Sequence, residues 1–147
     1  MKTVLLGVGN SLHSDDGAGP YFAKLFEGSR DIISFDCGTA PENFTGKIRR
    51  AMPERILIVD ASLMGLRAGD VRIVPAEKIH DTSVGTHMLP LTHLVNFLSE
   101  ITEEIILIGI QPKSLEDGDV LSFEVRSALD ELEKTINEGN LKLIPVL

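Results

Sequence analysis

Three short, continuous runs of apolar residues constrain the fold of this chain more than any other feature. They are Thr3 to Val8, Arg55 to Asp60 and Ile105 to Ile110. Each is too short for a typical helix and is rich in β-branched residues. None shows the polar–apolar alternation of a half-exposed strand. Each therefore reads as an interior strand covered on both faces. Asp31 to Asp36 and Val71 to Val74 read as further strands.

The intervals between these runs change to helical spacing. Gly17 to Phe26 places Pro20 in a first turn and repeats Phe22, Leu25 and Phe26 along one face. A helix beginning near Pro90 carries the stripe Leu91, Leu94, Val95 and Leu98, and a final one carries Val125, Ala128, Leu129, Leu132 and Ile136 before Gly139. Strands alternating with helices predict an α/β fold: a single domain over residues 1–147, with a twisted, mostly parallel sheet and helices on both faces. Pro41 to Pro53 and Ala76 to Met88 are the least regular stretches, the first with a weak helical pattern from Glu42 to Arg50. The apolar tail from Leu141 to Leu147 is expected as an edge strand or a docked end.

Composition narrows the function. The 147 residues carry a formal net charge of −8, which disfavours nucleic acid as a partner, since that binding rests on neutralising phosphates with Lys and Arg. No apolar run reaches the ~18–20 residues of a membrane span, and the start of the chain lacks the pattern of a signal peptide. Cys37 is the only cysteine. It leaves no intrachain disulfide and no multi-cysteine metal site, and fits a reducing compartment. A cytoplasmic protein without membrane insertion is the expectation.

In an open parallel sheet the ligand lies beyond the carboxyl ends of the strands. There the sequence places Asp15 and Asp16 after the first strand, Asp36 at the end of the second, Asp60 at the end of the third and His87 before the Pro90 helix. Gly7-Val8-Gly9 invites a dinucleotide reading, but Leu12 stands where the third glycine of that fingerprint belongs. Asp15 and Asp16 at a helix start would also repel a phosphate, so no nucleotide cofactor is expected. Carboxylates with one imidazole suit a borderline divalent ion such as zinc or nickel, and leave open positions for water or substrate.

Each residue also has a plainer role available. Asp60 can cap the turn after its strand. Asp15 is the member of its pair assigned to complement the helix dipole. His87 can be a loop histidine, and His13, His80 and His93 surface or partly buried ones. Cys37 is most simply a small buried residue.

Five ordered segments add a resemblance. They are Gly7-Val8-Gly9-Asn10 leading to Asp15-Asp16-Gly17; Asp36-Cys37-Gly38-Thr39-Ala40-Pro41-Glu42-Asn43; Ile58-Val59-Asp60-Ala61; Thr86-His87-Met88-Leu89-Pro90-Leu91; and Gly109-Ile110-Gln111-Pro112. In this order and spacing the chain resembles the hydrogenase maturation endopeptidases, most of all the branch that processes large subunits of formate-hydrogenlyase-type [NiFe] hydrogenases. Cys37 departs from the glycine common at its position in that family.

The resemblance implies an aspartic-type endopeptidase that removes the C-terminal extension of a [NiFe] hydrogenase large-subunit precursor after nickel insertion. It implies Asp16, Asp60 and His87 as the nickel-recognising trio, with the nickel presented by the precursor. Asp16 and Asp60, with Asp36 beside them, are the catalytic candidates. The metal could act as a recognition tag, as a Lewis acid, or beside an aspartate serving as general base. A non-catalytic nickel-binding assembly module is the alternative. The three nickel donors are expected on loops that the core does not need.

Overall fold

The computed structural model describes residues 1–82, 84 and 90–147. Five strands form one sheet: β1 (Thr3–Val8), β2 (Ile32–Gly38), β3 (Arg55–Ala61), β4 (Val71–Val74) and β5 (Glu104–Ile110). Their spatial order is β2-β1-β3-β5-β4. All neighbours run parallel except β4, which lies antiparallel on β5 and forms one edge. The three apolar runs are thus the interior strands, buried throughout in β1 and toward the carboxyl ends in β3 and β5.

Helices α1 (Ala18–Leu25), α2 (Thr45–Ala51), α3 (Ile79–Thr82), α4 (Leu91–Leu98) and α5 (Phe123–Asn137) cover the sheet. Alternation along the strands sorts the core into two halves. Leu5, Leu57, Val59, Ile108 and Ile110 meet Phe22 and Phe26 and the Val125, Leu129, Leu132 and Ile136 stripe of α5. Val4, Leu6, Val8, Ile56, Ile58 and Leu107 meet Ile48, Ile79, Leu91, Leu94 and Leu98 on the other side. Each fully buried side chain of this kind contributes about 1.5–3 kcal/mol relative to exposure, so the two apolar layers, not propensity, hold the helices in place. The irregular Pro41–Pro53 stretch is a 3₁₀ turn, Pro41–Phe44, running into α2. The tail docks: Ile73 N–H donates to Pro145 O at 2.9 Å and Leu147 N–H to Ile73 O at 2.9 Å, covering the outer edge of β4.

One contact seats the start of α1 on the sheet. A Cβ on Gly19 would lie 2.3 Å from Val8 O and 2.4 Å from Val59 O. Only a glycine lets α1 begin directly against the backbones of β1 and β3. From β1 the chain leaves to one side for β2, then crosses to the other side for β3. The crevice between the carboxyl ends of β1 and β3 is therefore the topological switch point, where such sheets bind their ligands.

Candidate active site

The chain leaves β1 through Gly9, whose N–H donates to Gly38 O at 2.8 Å. The loop then folds on itself. Asn10 Oδ1 accepts from Leu12 N–H at 2.9 Å, and a 3₁₀ turn at Ser14–Gly17 leads into α1. Asp16 lies in that turn with 0% exposure. Its Oδ2 accepts from Asn10 N–H at 3.0 Å. Its Oδ1 is buried and has no hydrogen-bond partner among the described residues. An unsatisfied buried acceptor costs about 1–3 kcal/mol, more when charged, and calls for a donor or a cation.

Asp60 enters the same edge from β3. It shares the parity of Ile56 and Ile58, so it faces the layer of α2, α3 and α4. It is 1% exposed and pairs in register with Gly109 of β5. The segment beyond it is held by Gln111, whose Oε1 accepts from Met64 N–H at 2.7 Å and Leu66 N–H at 3.3 Å. Leu63 N–H donates to Thr82 O at 2.9 Å, tying the end of α3 to the chain just past Asp60. His87, the third expected donor, lies outside the described residues. Among the described residues no three His, Cys, Asp or Glu side chains come together as a metal-holding group.

The expectation that the donors sit on dispensable loops needs correction for both acids. Asp60 is part of β3, and Asp16 is fully buried beneath the start of α1. Gly19 seats the end of the first loop on both strands and so draws Asp16 inward, whereas Asp60 is buried on the face covered by α2, α3 and α4.

The other singled-out residues separate clearly. Asp36 is exposed near the end of β2. Its Oδ1 accepts from Gly38 N–H at 3.1 Å, and Lys24 Nζ lies 3.8 Å from its Oδ2. Cys37 is 4% exposed and packs in the core. Burial, helped by the negative charge of Asp36 and Glu42, pushes its thiol up to about 12, which makes it inert as a nucleophile. His13 stands 3.7 Å from the exposed Asp117, and His80 and His93 are on the surface.

Asp15 does not act as a simple dipole acid. Its carboxylate, 1% exposed, accepts hydrogen bonds from Lys113, Ser114 and Ser122, residues about a hundred positions away. Neither this clamp nor the role of Gln111 is read from the sequence. The Ser122 half had one available signal, a serine just before the final helical stripe. It is the N-cap of α5, accepting from Val125 N–H at 3.3 Å.

Comparison with known proteins assigns this arrangement to a family. Residues 22–138 match the family model described as HycI, hydrogenase maturation protease. The hydrogenase 3 maturation protease of Escherichia coli K12 is 44% identical over 145 residues, covering 95% of this chain and 93% of its own. The solution structure of the endopeptidase HycI from Escherichia coli superposes with a TM-score of 0.84 and 36% identity, covering 94% of this chain and 90% of the other. The crystal structure of a [NiFe] hydrogenase maturation protease HycI from Thermococcus kodakarensis gives 0.82 and 30%, covering 95% and 92%. The chain belongs to the hydrogenase maturation protease family, and is thus a peptidase rather than a non-catalytic assembly module.

Proposed function

We propose that this protease removes the C-terminal extension of a [NiFe] hydrogenase large-subunit precursor, and that Asp16, Asp60 and His87 together grip the nickel which the precursor carries. The observation that carries the reading is the buried Asp16 Oδ1, unpartnered among the described residues, at the switch point that also receives Asp60. A carboxylate oxygen kept dry and unbonded is suited to meet a cation arriving with the substrate. Two carboxylates and an imidazole are a fitting donor set for nickel, and they leave coordination positions for ligands the precursor already supplies.

Specificity then follows as a difference of affinities. A loaded precursor satisfies Asp16, whereas an empty one leaves a buried carboxylate with nothing to bind. Nickel held at this place would also supply Lewis acidity at the adjoining peptide carbonyl. Asp36, exposed at the end of the neighbouring strand and steadied by Gly38 and Lys24, is the third acid open to the substrate chain. Among the described residues no helix is long and apolar enough to cross a membrane. The reading places the reaction in the cytoplasm, where a free, buried Cys37 is at home.

The test is processing of purified, nickel-loaded precursor by Asp16→Asn, Asp60→Asn, His87→Ala and Asp36→Asn, each first shown to fold by circular dichroism. The first three should lose at least 100-fold in rate, and Asp36→Asn less. A folded His87→Ala protein that cleaves at the wild-type rate would refute the assigned trio.

A further inference from the structure

We propose that Asp15 is a positioning residue for the protease reaction: its buried carboxylate locks the segment after β5 onto the loop that carries Asp16, and so sets where Asp16 stands. The proposal rests on the assignment of Asp16 as a nickel-gripping residue.

The two adjacent acids have opposite bonding states. Asp15 is saturated. Its Oδ2 accepts from Lys113 N–H at 2.8 Å, Ser114 N–H at 3.2 Å and Ser122 Oγ–H at 2.9 Å, and its Oδ1 accepts from Ser122 N–H at 2.7 Å. Among the described residues the Asp16 carboxylate has one bond, from Asn10 N–H, and one oxygen left over. Among the described residues every side-chain bond of Asp15 goes to the 113–122 segment and none to the N–H groups of its own turn, so it is not serving as a cap. The backbone repeats the clamp on either side. Asp15 N–H donates to Ser114 O at 3.0 Å, Ser14 N–H to Gly118 O at 2.8 Å, and Gly118 N–H to Leu12 O at 2.9 Å. Ser14 is held at a φ of 52°, a region disfavoured for residues with a Cβ, and its hydroxyl donates to Glu116 O at 2.8 Å. A loop held this way on one side of Asp16 fixes that residue without touching the substrate.

Two measurements on the whole chain test this. One is precursor processing. The other is amide exchange at Asn10, whose N–H reports whether the Asp16 carboxylate is seated although Asn10 makes no bond to the Asp15 carboxylate. Asp15→Asn turns one acceptor oxygen into a donor facing N–H groups. It should speed Asn10 exchange at least tenfold beyond any change at the sheet amide of Leu57, and lower kcat/KM at least tenfold. A uniform rise in exchange with wild-type processing would mean that Asp15 only stabilises the fold, and would overturn the proposal. If Asp15→Asn does not fold, Ser122→Ala keeps the carboxylate and removes one of its four donors. It should show both changes at about threefold, and wild-type values would again overturn it. Asp16→Asn separates the two claims. If it processes normally, the nickel-gripping assignment fails and takes this proposal with it. If it is inactive while Asp15→Asn is normal in both readouts, only the role of Asp15 is lost.

Discussion

Alanine in place of Gly9 should disable the protease by moving Asp16. Gly9 has a φ of +145°, and a Cβ built there lies 1.9 Å from Asp16 O and 3.4 Å from Asp16 Oδ1. Side-chain Cβ atoms essentially never approach another atom closer than 3.0 Å. The obstacle is backbone, so no rotamer change relieves it. Asp16 must retreat by about 1 Å, and a shift of that size at a positioned group costs on the order of 100-fold in rate. The fold loses stability as well, about 1–3 kcal/mol from overpacking and a similar ~1–3 kcal/mol from the strained backbone. At about 2–4 °C per kcal/mol for a domain of this size, the midpoint should drop visibly. Gly139→Ala is the matched control. Gly139 ends α5 at a φ of +72° with nothing within 4 Å of a built Cβ. It should lose roughly 1–2 kcal/mol through its left-handed backbone and process precursor normally. The assay pairs thermal unfolding with mass-detected processing of nickel-loaded precursor. A folded Gly9→Ala protein within threefold of the wild-type rate would refute the reasoning.

Gln111→Ala removes the acceptor for Met64 and Leu66 N–H; it should cost about 1–3 kcal/mol and speed amide exchange at those two positions, with unchanged exchange counting against the clamp. Cys37 should resist alkylation at pH 8 in the native protein and react only on unfolding, because its thiol is pushed up to about 12; rapid native labelling would contradict its burial. The same shift has a sign in stability. The folded chain holds the thiol neutral above its ordinary value of 9.0, so its contribution is fully present below pH 9 and is lost as pH rises from there toward 12. A Cys37→Ala protein should therefore show a shallower alkaline decline in its unfolding midpoint.

Features fixed by local interactions are legible in the sequence, and those fixed by distant ones are not. Interior strands announce themselves locally. Ile105 to Ile110 carries its own signal, and the structure extends it by one residue to Glu104. The final helix is similar, since the stripe from Val125 to Ile136 needs no partner to be seen. The strand order was not legible, because which strand lies beside β1 depends on packing between distant segments. The buried state of Asp16 and Asp60 was missed for the same reason. Asp16 precedes a helix and looks like a loop residue in one dimension, and Asp60, as the last residue of its apolar run, looks like the start of a turn. Gly19 against Val8 and Val59 seats the loop that carries Asp16, and the α2, α3 and α4 layer covers the face on which Asp60 lies. The Asp15 clamp joins residues separated by 98 to 107 positions, so nothing in the neighbouring sequence could reveal it. The candidate trio is visible only through a resemblance of ordered motifs, since local chemistry alone shows no more than a polar edge on an α/β sheet.

The most direct test of the nickel reading is a mass measurement on purified [NiFe] hydrogenase large-subunit precursor, mixed with this protease in two arms that differ only in whether the precursor holds nickel. Nickel recognition predicts loss of the C-terminal extension from the loaded precursor and an intact mass for the empty one. Equal cleavage in both arms would contradict nickel recognition, and no cleavage in either would contradict the proposed substrate.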